Sequence, residues 1–151
     1  MNLYLLTQDA VRGYNTYDSC VYLNTVKKLN LHEKLPEGFA IQGEVVGPKI
    51  QSNRGNYKVP TLLIFDVYDI KKREYFSTQE MLRFLFNLGI SDEQIVTQLG
   101  TLPFSSQTIK EHLIFADSIA TRIPGCEGLA CKSSHLRFKV ISNEYLLKIK
   151  E

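Results

Sequence analysis

The sequence feature that most limits the possible fold is an apolar run over residues 59–70, Val-Pro-Thr-Leu-Leu-Ile-Phe-Asp-Val-Tyr-Asp-Ile. Its β-branched and aromatic residues favour a strand, and acidic residues come only towards its end. A nearly continuous apolar strand is typical of the centre of a sheet, where both faces are covered. The run therefore predicts a central strand.

The stretch over residues 39–53, Phe-Ala-Ile-Gln-Gly-Glu-Val-Val-Gly-Pro-Lys-Ile-Gln-Ser-Asn, predicts the preceding strand. Apolar and β-branched residues fill it, while Gly43 and the pair Gly47-Pro48 interrupt it, so a strand that enters a tight turn fits better than a helix. The two strands are predicted to pair as a hairpin-like unit. Glu44 is a lone carboxylate in this strand, which is consistent with a functional site or with a solvated turn residue.

Helix-start and helix-stop signals place helices around these strands. Residues 77–80 read Ser-Thr-Gln-Glu, a capping box that opens a helix, and Gly89 is its predicted end. A second box at Ser91 predicts a shorter helix that ends at Gly100. The predicted elements are helices over residues 18–30, 77–89, 91–100, 105–120 (with Ile109, Leu113, Ala116 and Ile119 inward) and 143–150, and further strands over residues 3–6, 127–132 and 136–141. This order predicts an α+β fold with an antiparallel-rich sheet flanked by helices.

Length and composition are those of a single globular domain over residues 1–151. The chain is 44% hydrophobic, enough to bury a core, and its formal charge of +2 excludes a large uniform field for nucleic acid or membrane. Three cysteines without a Cys-x-x-Cys spacing argue against a disulfide framework or zinc site and favour a reducing, cytoplasmic setting. Since no run approaches the roughly 18 apolar residues of a spanning helix, no membrane association is expected.

Four places along the chain carry side chains that suit a nucleotide: Glu44, Phe65, the segment from Glu127 to Lys132, and Lys139. Carboxylates can hold a hydrated Mg²⁺ or a ribose hydroxyl, and ammonium groups neutralise phosphate oxygens. An aromatic face stacks on a base with about 1–3 kcal/mol. Each residue also has a purely structural interpretation, because a strand phenylalanine is ordinarily core and strand lysines are ordinarily solvated.

Taken in order, these segments resemble the motifs of the RNA ligase branch of the covalent nucleotidyltransferases. Residues 39–51 are similar to motif III and residues 62–67, Leu-Leu-Ile-Phe-Asp-Val, to motif IIIa. Residues 127–132, Glu-Gly-Leu-Ala-Cys-Lys, are similar to motif IV, and residues 137–140, Arg-Phe-Lys-Val, to motif V. The resemblance covers residues 17–150 and implies the later portion of a nucleotidyltransferase (ATP-grasp-like) domain.

The resemblance implies a role for each candidate residue, with ATP and Mg²⁺ as cofactors and RNA as the substrate class. Glu44 would contact the ribose or help to order a metal-bound water, and Phe65 would stack on adenine. Glu127 would bind the divalent metal. Lys132 and Lys139 would face the phosphates. The implied activity is ATP-dependent RNA ligation, as used in RNA repair.

Two departures from the family pattern limit what this chain is expected to do alone. The family's nucleophile is the lysine of a Lys-x-Asp-Gly motif before motif III, and the sequence contains no Asp-Gly dipeptide. Motif V often has two lysines separated by one residue, whereas Ile141 follows Lys139 at that spacing. The chain is therefore expected not to self-adenylate alone. A second polypeptide with the nucleophile lysine, or a homodimer, is expected. The alternative is a non-catalytic nucleotide- or RNA-binding module, a remnant of a ligase.

Overall fold

The computed structural model describes residues 20–50, 53–101, 108–133 and 136–148, and these residues group into two compact units. Unit 1 consists of the described residues of 20–46 and 59–96, and unit 2 of those in 47–58 and from 97 onward. The single domain over residues 1–151 stays a prediction. The predicted strand over residues 3–6 lies outside the described residues.

Unit 1 is built on a three-stranded antiparallel sheet. Its strands are β1 (Phe39–Val46), β2 (Thr61–Asp69) and β3 (Glu74–Tyr75), in the order β1-β2-β3. The 59–70 run therefore forms the central strand, as predicted, and none of the nine residues of β2 is exposed. Leu62, Ile64 and Val67 form the core side of β2, with at most 7% of their surface exposed.

Helices cover the core side of this sheet. They are α1 (Val21–Lys28), the short α2 (Leu31–Lys34) and α3 (Thr78–Asn87). The capping box predicted at Ser77 is confirmed, because the Ser77 hydroxyl accepts from the Glu80 N–H and the Glu80 carboxylate accepts from the Ser77 N–H. Phe39 of β1 contacts Phe84 of α3, with ring centroids 4.9 Å apart. Burial of these apolar side chains fixes α3 on the sheet.

The predicted helix over residues 91–100 is wrong beyond its first turn. Residues Asp92–Gln94 form a single 3₁₀ turn, after which the chain becomes extended. Ile95 pairs with Ile64 in parallel orientation, and the Val96 N–H donates to the Ile64 carbonyl at 2.9 Å. The edge of β2 that β3 leaves uncovered thus captures this segment, because an unpaired strand edge offers hydrogen bonds that compete with helix formation.

Unit 2 contains a β-hairpin, a long helix and a short terminal helix. The elements are α4 (Ile109–Arg122), β4 (Gly128–Lys132), β5 (Arg137–Ile141) and α5 (Asn143–Lys148). Ala116 and Ile119 of α4 pack with Leu129 of β4 as the core, and Val140 of β5 packs against them. The hairpin therefore has one face on α4 and one face turned away from it.

The ends of α4 and α5 are partly as predicted. A capping box of Thr108 and Glu111 begins α4, and the predicted start at residues 105–106 lies outside the described residues. Ile109, which was predicted to face inward, is 82% exposed because it belongs to the first turn, beyond the packed core. Ser142 precedes α5 as predicted, and its hydroxyl accepts from the Tyr145 N–H at 3.3 Å.

The α+β fold class with antiparallel pairing is confirmed. All three strand pairings between β1 and β2, β2 and β3, and β4 and β5 are antiparallel. Within the described ranges, no helix has both the length and the apolar character needed to cross a membrane.

Candidate functional site

Glu44 and Phe65 lie on adjacent strands of unit 1 and share one face of the sheet. Glu44 pairs directly with Leu63. Leu63 and Phe65 are two positions apart on β2, so strand alternation directs both away from the core. Glu44 is exposed and Phe65 is half-buried. The structure thus brings together the two residues that were predicted to contact the nucleoside part of a cofactor.

A β-bulge centred on Phe65 interrupts the pairing of β1 with β2. Gln42 pairs with Asp66, and the next residue, Gly43, pairs with Ile64. Phe65 is therefore the extra residue of the bulge, which lies between the two paired positions of β2. Bulges of this kind re-aim a side chain and are frequent next to functional sites.

The bulge also explains why the alternation of core-facing and outward-facing positions shifts by one residue within β2. Ile64 and Val67 are both fully buried although they are three positions apart. One extra residue between them restores the core-facing position of Val67. Opposite the bulge, a Cβ on Gly43 would lie 2.8 Å from the Leu63 carbonyl oxygen, so a side chain larger than hydrogen would force the strands apart.

The rest of this face is polar and aromatic. Gln42 donates from its side-chain amide to the Tyr75 hydroxyl at 3.2 Å, and the Tyr75 ring contacts that of Tyr68 at 4.8 Å. Asp66 shares the face through its pairing with Gln42 and is 6% exposed. The sheet site face is defined by Gln42, Glu44, Phe65, Asp66 and Tyr68.

Lys132 and Lys139 lie on one exposed face of the hairpin in unit 2. Lys139 pairs with Ala130, two positions before Lys132, and Lys132 pairs directly with Arg137. All three basic side chains are exposed and turned away from α4. Lys132, Arg137 and Lys139 define the cationic hairpin face. Lys132 and Arg137 are like charges directly opposite one another, which destabilises a strand pair. Because a bound anion would offset this repulsion, the face suits an anionic ligand.

Gly128 allows β4 and β5 to approach each other closely at the start of the hairpin. Its φ of +146° is in a region that side chains rarely adopt, and a Cβ there would clash with the Val140 carbonyl oxygen. The two strands can therefore approach each other at this point only because residue 128 is glycine. That approach lines up the following residues of β4 with β5, up to the pair of Lys132 with Arg137.

Glu127 does not lie on the cationic hairpin face but precedes β4, in contact with Arg54 and Tyr145. Arg54 Nη1 lies 3.3 Å from Glu127 Oε1, and the Tyr145 hydroxyl donates to the same oxygen at 2.8 Å. Arg54 also donates to the Tyr145 hydroxyl, and its guanidinium carbon lies 5.1 Å from the ring centroid. These three residues, all in unit 2, form the Glu127 trio.

The environment of the trio favours the neutral phenol of Tyr145. Burial of the ring and the neighbouring Glu127 carboxylate raise the pKa of Tyr145 above its ordinary value, although Arg54 opposes part of this effect. Tyr145 therefore remains a hydrogen-bond donor to Glu127 at neutral pH.

The described residues around Glu127 offer a metal ion a single carboxylate, which is already paired with Arg54. Within the part of the chain that the structure describes, no group of three or more His, Cys, Asp or Glu side chains is arranged to hold a metal ion. The hydrogen bonds and the ion pair that described residues make with the Glu127 carboxylate all end on Oε1. Magnesium sites commonly use one or two carboxylates together with waters and substrate phosphates. Glu127 can supply one such carboxylate oxygen.

A groove of about 380 Å³ lies beside Lys139, between the start of α4 and β5. Its volume is within the range of small-molecule sites. The rings of His112 and Phe138 meet there with centroids 5.9 Å apart. The lining consists of Ile109, His112, Leu113, Phe138, Lys139, Val140 and Ile141.

Arg137 and both partners of Glu127 were not among the residues predicted from the sequence. The signal for Arg137 was present, because it precedes Lys139 by two positions and therefore shares its face. It supplies the second cation at the two-residue spacing that was sought at Ile141. Arg54 had no such signal, since it is 73 residues from Glu127 in sequence.

A family model described as RNA ligase matches residues 4–150, almost the whole chain. This chain belongs to the RNA ligase family. The resemblance drawn from its motifs is therefore confirmed. No match was found among curated protein sequences.

Solved structures support the same assignment. The RNA ligase of Naegleria gruberi with PPi is 28% identical with a TM-score of 0.75, over 90% of this chain and 42% of the ligase. A mutant of that ligase with ATP and Mn is 27% identical with a TM-score of 0.75, over 91% and 43%. Another, with AMP and Mn, is 28% identical with a TM-score of 0.78, over 90% and 43%. This RNA ligase family member thus spans less than half the length of the ligases it matches.

Proposed function

We propose that this chain supplies the nucleotide, metal and phosphate contacts of an ATP-dependent RNA ligase, with a lysine nucleophile provided by other residues. The observation that carries the proposal is the shared sheet face of Glu44 and Phe65 in a member of the RNA ligase family. The similar Naegleria gruberi structures contain ATP, AMP, PPi and Mn, which supports nucleotide and divalent-metal use here.

Phe65 is proposed to stack on adenine and Glu44 to contact the ribose or a metal-bound water. Phe65 is half-buried and lies on the face of the sheet opposite the core, in the bulge. A ring held at such a position loses little freedom when a base stacks on it, because its backbone is already fixed by two strands. Glu44 is exposed on the neighbouring strand and can accept from a hydroxyl.

Lys132 and Lys139 are proposed to face the phosphates, and Arg137 joins them. Three cations on one exposed hairpin face are suited to the several negative charges of a triphosphate or of an RNA backbone. Arg137 can bind two phosphate oxygens at once, whereas the lysines act as point charges.

Glu127 is proposed to bind the divalent metal, with Mg²⁺ as the physiological ion. A divalent cation at this position would neutralise developing charge on the phosphates. Glu127 would do so with the oxygen that Arg54 and Tyr145 leave available. The chain itself then binds and orients the nucleotide, while covalent chemistry depends on the nucleophile.

The covalent step requires a lysine amine that attacks the α-phosphate of ATP. A phosphorus–nitrogen bond forms, the bond to the β-phosphate oxygen breaks, and pyrophosphate leaves. The sequence has no Lys-x-Asp-Gly motif to provide this amine. A second polypeptide that carries the motif is proposed to supply the amine, a homodimer of this chain is the alternative association, and RNA is the proposed substrate.

Binding of ATP with Mn²⁺, measured by calorimetry, tests the nucleotide contacts. Phe65→Ala should weaken binding roughly 5- to 150-fold, the equivalent of a stacking contribution of about 1–3 kcal/mol. Phe86→Ala is the matched control, because Phe86 belongs to the same unit and is 79% exposed on α3. Equal affinities for the two variants would rule out Phe65 as the adenine-stacking residue.

Labelling with α-phosphate-labelled ATP and Mg²⁺ tests the enzymatic part. The chain alone should acquire no label, and label in a covalent adduct would contradict the missing nucleophile. Co-expression with a polypeptide that carries Lys-x-Asp-Gly should restore labelling. ATP binding without restored labelling would instead support the non-catalytic nucleotide- or RNA-binding module.

A further inference from the structure

The groove beside Lys139 is mainly apolar and has a positive charge at one side. Its volume of about 380 Å³ is within the range of sites that hold small organic molecules. Apart from His112 and Lys139, all of its lining residues are apolar, and none is acidic. All of them belong to unit 2. The groove therefore suits a ligand that joins a flat or apolar group to a negative charge.

His112 and Phe138 contribute two aromatic rings to this groove. Their planes are inclined by 65° in an edge contact. Such a contact leaves both faces of one of the two rings outside it. Both side chains are half-buried, so the rings are held by their surroundings and still reach the surface. Unstacked bases of single-stranded RNA are commonly bound on phenylalanine and histidine rings.

The first turn of α4 holds the His112 ring in one orientation. The ring nitrogen Nδ1 lies 2.8 Å from the Thr108 carbonyl oxygen, and the His112 backbone N–H donates to the same oxygen at 3.2 Å. A carbonyl oxygen only accepts, so Nδ1 carries the proton and Nε2 of the neutral ring is an acceptor. Among the described residues, no hydrogen bond or ion pair ends on Nε2. It can therefore accept from an N–H on the edge of a base.

Lys139 connects the groove to the cationic hairpin face. It lines the groove and also belongs to that face, together with Lys132 and Arg137. A group bound in the groove therefore lies beside three exposed cations. In a polynucleotide every base is joined through its ribose to phosphates, so a base in the groove would bring a phosphate to this face. A hydrocarbon chain or an apolar helix would make no use of the positive charge.

We infer that this groove is a nucleobase site for single-stranded RNA, in which Phe138 and His112 contact the base and Lys139 and Arg137 its phosphate. The inference rests on the proposed function in taking RNA as the ligand. It is separate from the adenine contact proposed at Phe65, which belongs to unit 1. The chain would thus bind one base of the RNA strand in addition to the base of the cofactor.

Fluorescence anisotropy of a labelled oligouridylate, titrated with the full chain, tests the site. Phe138→Leu keeps an apolar side chain but removes the ring, and should weaken binding roughly 5- to 150-fold, the equivalent of a stacking contribution of about 1–3 kcal/mol. The same variant should bind an abasic ribose-phosphate oligomer as the native chain does, because that probe has no base to stack. A merely structural role of Phe138 would weaken the binding of both probes alike.

A second variant and a matched control accompany this measurement. His112→Ala removes the second ring and its Nε2 acceptor, and should weaken oligouridylate binding roughly 2- to 10-fold, the usual effect of one hydrogen bond. It keeps the site testable if Phe138→Leu folds poorly. Ile114→Ala should leave the affinity unchanged, because Ile114 is 60% exposed on α4 and does not line the groove. Circular dichroism establishes which variants are folded.

The outcomes separate this inference from the proposed function. If the native chain binds the two probes equally or binds neither, or if both variants keep the native affinity, the nucleobase site is overturned and ATP binding through Phe65 stands. If Phe138→Leu weakens ATP binding but not oligouridylate binding, the groove holds the base of ATP, and both this site and the stacking role of Phe65 are overturned.

Two further results would be equally decisive. If Phe138→Leu dissociates a dimer of the native chain in light scattering without a change in RNA affinity, the groove is an interface between two copies and the nucleobase site is overturned. If the native chain binds oligouridylate as expected but does not bind ATP, the nucleobase site stands and the proposed cofactor contacts are overturned.

Discussion

The two units use antiparallel strands in the same way but prepare their outward faces for different chemistry. In unit 1 the sheet site face carries acids, an amide and aromatic rings, and its central strand has no exposed residue. In unit 2 the cationic hairpin face is exposed at Lys132, Arg137 and Lys139. The sheet site face is therefore partly shielded from water, whereas the cationic hairpin face is exposed and charged.

The difference follows from the physics of what each face is proposed to bind. A base is recognised by contact with an apolar ring, which needs a fixed and partly dehydrated surface. A phosphate is recognised by charge, which acts at a distance and tolerates solvent. Unit 1 accordingly has a bulge that directs one ring, whereas unit 2 has three basic side chains on a regular hairpin.

The largest expected effect is from Gly128→Ala, which should destabilise unit 2 by roughly 2–4 kcal/mol through backbone strain and a clash with the Val140 carbonyl. Hydrogen exchange resolved by peptide should show faster exchange in β4 and β5 and little change in β1 and β2. Gly38→Ala is the control, since its φ is also positive but no atom lies within 4 Å of the added Cβ. Equal loss of protection in both units would contradict their separate stability.

Gly43→Ala should have the second-largest effect and should destabilise unit 1. The added Cβ would meet Leu63 and Leu62 at 2.8 and 2.9 Å, so the strands must separate at the bulge. Overpacking of this kind costs roughly 1–3 kcal/mol. Urea unfolding combined with the same exchange measurement should locate the loss in β1 and β2. Unchanged protection there would mean that the bulge tolerates a side chain at residue 43.

We expect a smaller effect on the affinity for single-stranded oligoadenylate. The salt dependence of this affinity distinguishes phosphate contacts from base stacking. Lys139→Gln should reduce the slope of log affinity against log salt by roughly 0.7, because one phosphate contact is lost. Phe65→Leu should lower the affinity but leave the slope unchanged. Lys71→Gln, in an exposed turn of unit 1, is the control. A slope that responds to Phe65→Leu as strongly as to Lys139→Gln would remove the distinction between the two faces.

The smallest expected effect is a loss of stability of unit 2 at acid pH. The Ser142 hydroxyl, and then the Asn143 N–H, lower the pKa of Asp117 below its ordinary 3.8. A lowered carboxyl pKa stabilises the fold above 3.8, and that stability is lost as pH falls through the folded-state value. Acid titration followed by exchange in α5 should show this loss, and Asp117→Asn should abolish it. Asp92→Asn, in unit 1, should leave the α5 profile unchanged.

Sequence patterns predicted those parts of the fold that depend on neighbouring residues. The apolar run of β2, the capping box of α3 and the alternation in β4 and β5 are local signals, and each element formed where expected to within a few residues. The 91–100 helix failed because its outcome depends on a distant partner, the open edge of β2 at Ile64. Competition between local and tertiary hydrogen bonds has no signature within a short window.

The residues of the candidate site likewise fall into those that local sequence patterns predict and those that depend on contacts between distant segments. Glu44 and Phe65 could be selected from residue type and order, but their common face depends on a register that only the pairing of two strands fixes. Arg137 could have been found from its spacing to Lys139. The partners of Glu127 could not, because Arg54 and Tyr145 come from segments far apart in sequence.

The bulge at Phe65 has a consequence for how this position can vary. If Phe65 were deleted, Ile64 would pair with Gly43 and Asp66 with Gln42 as consecutive rungs, and every other residue of β2 would keep its face. Deletion at this point would thus remove the half-buried ring and the bulge together, while the remaining pairs of β1 with β2 stay in phase.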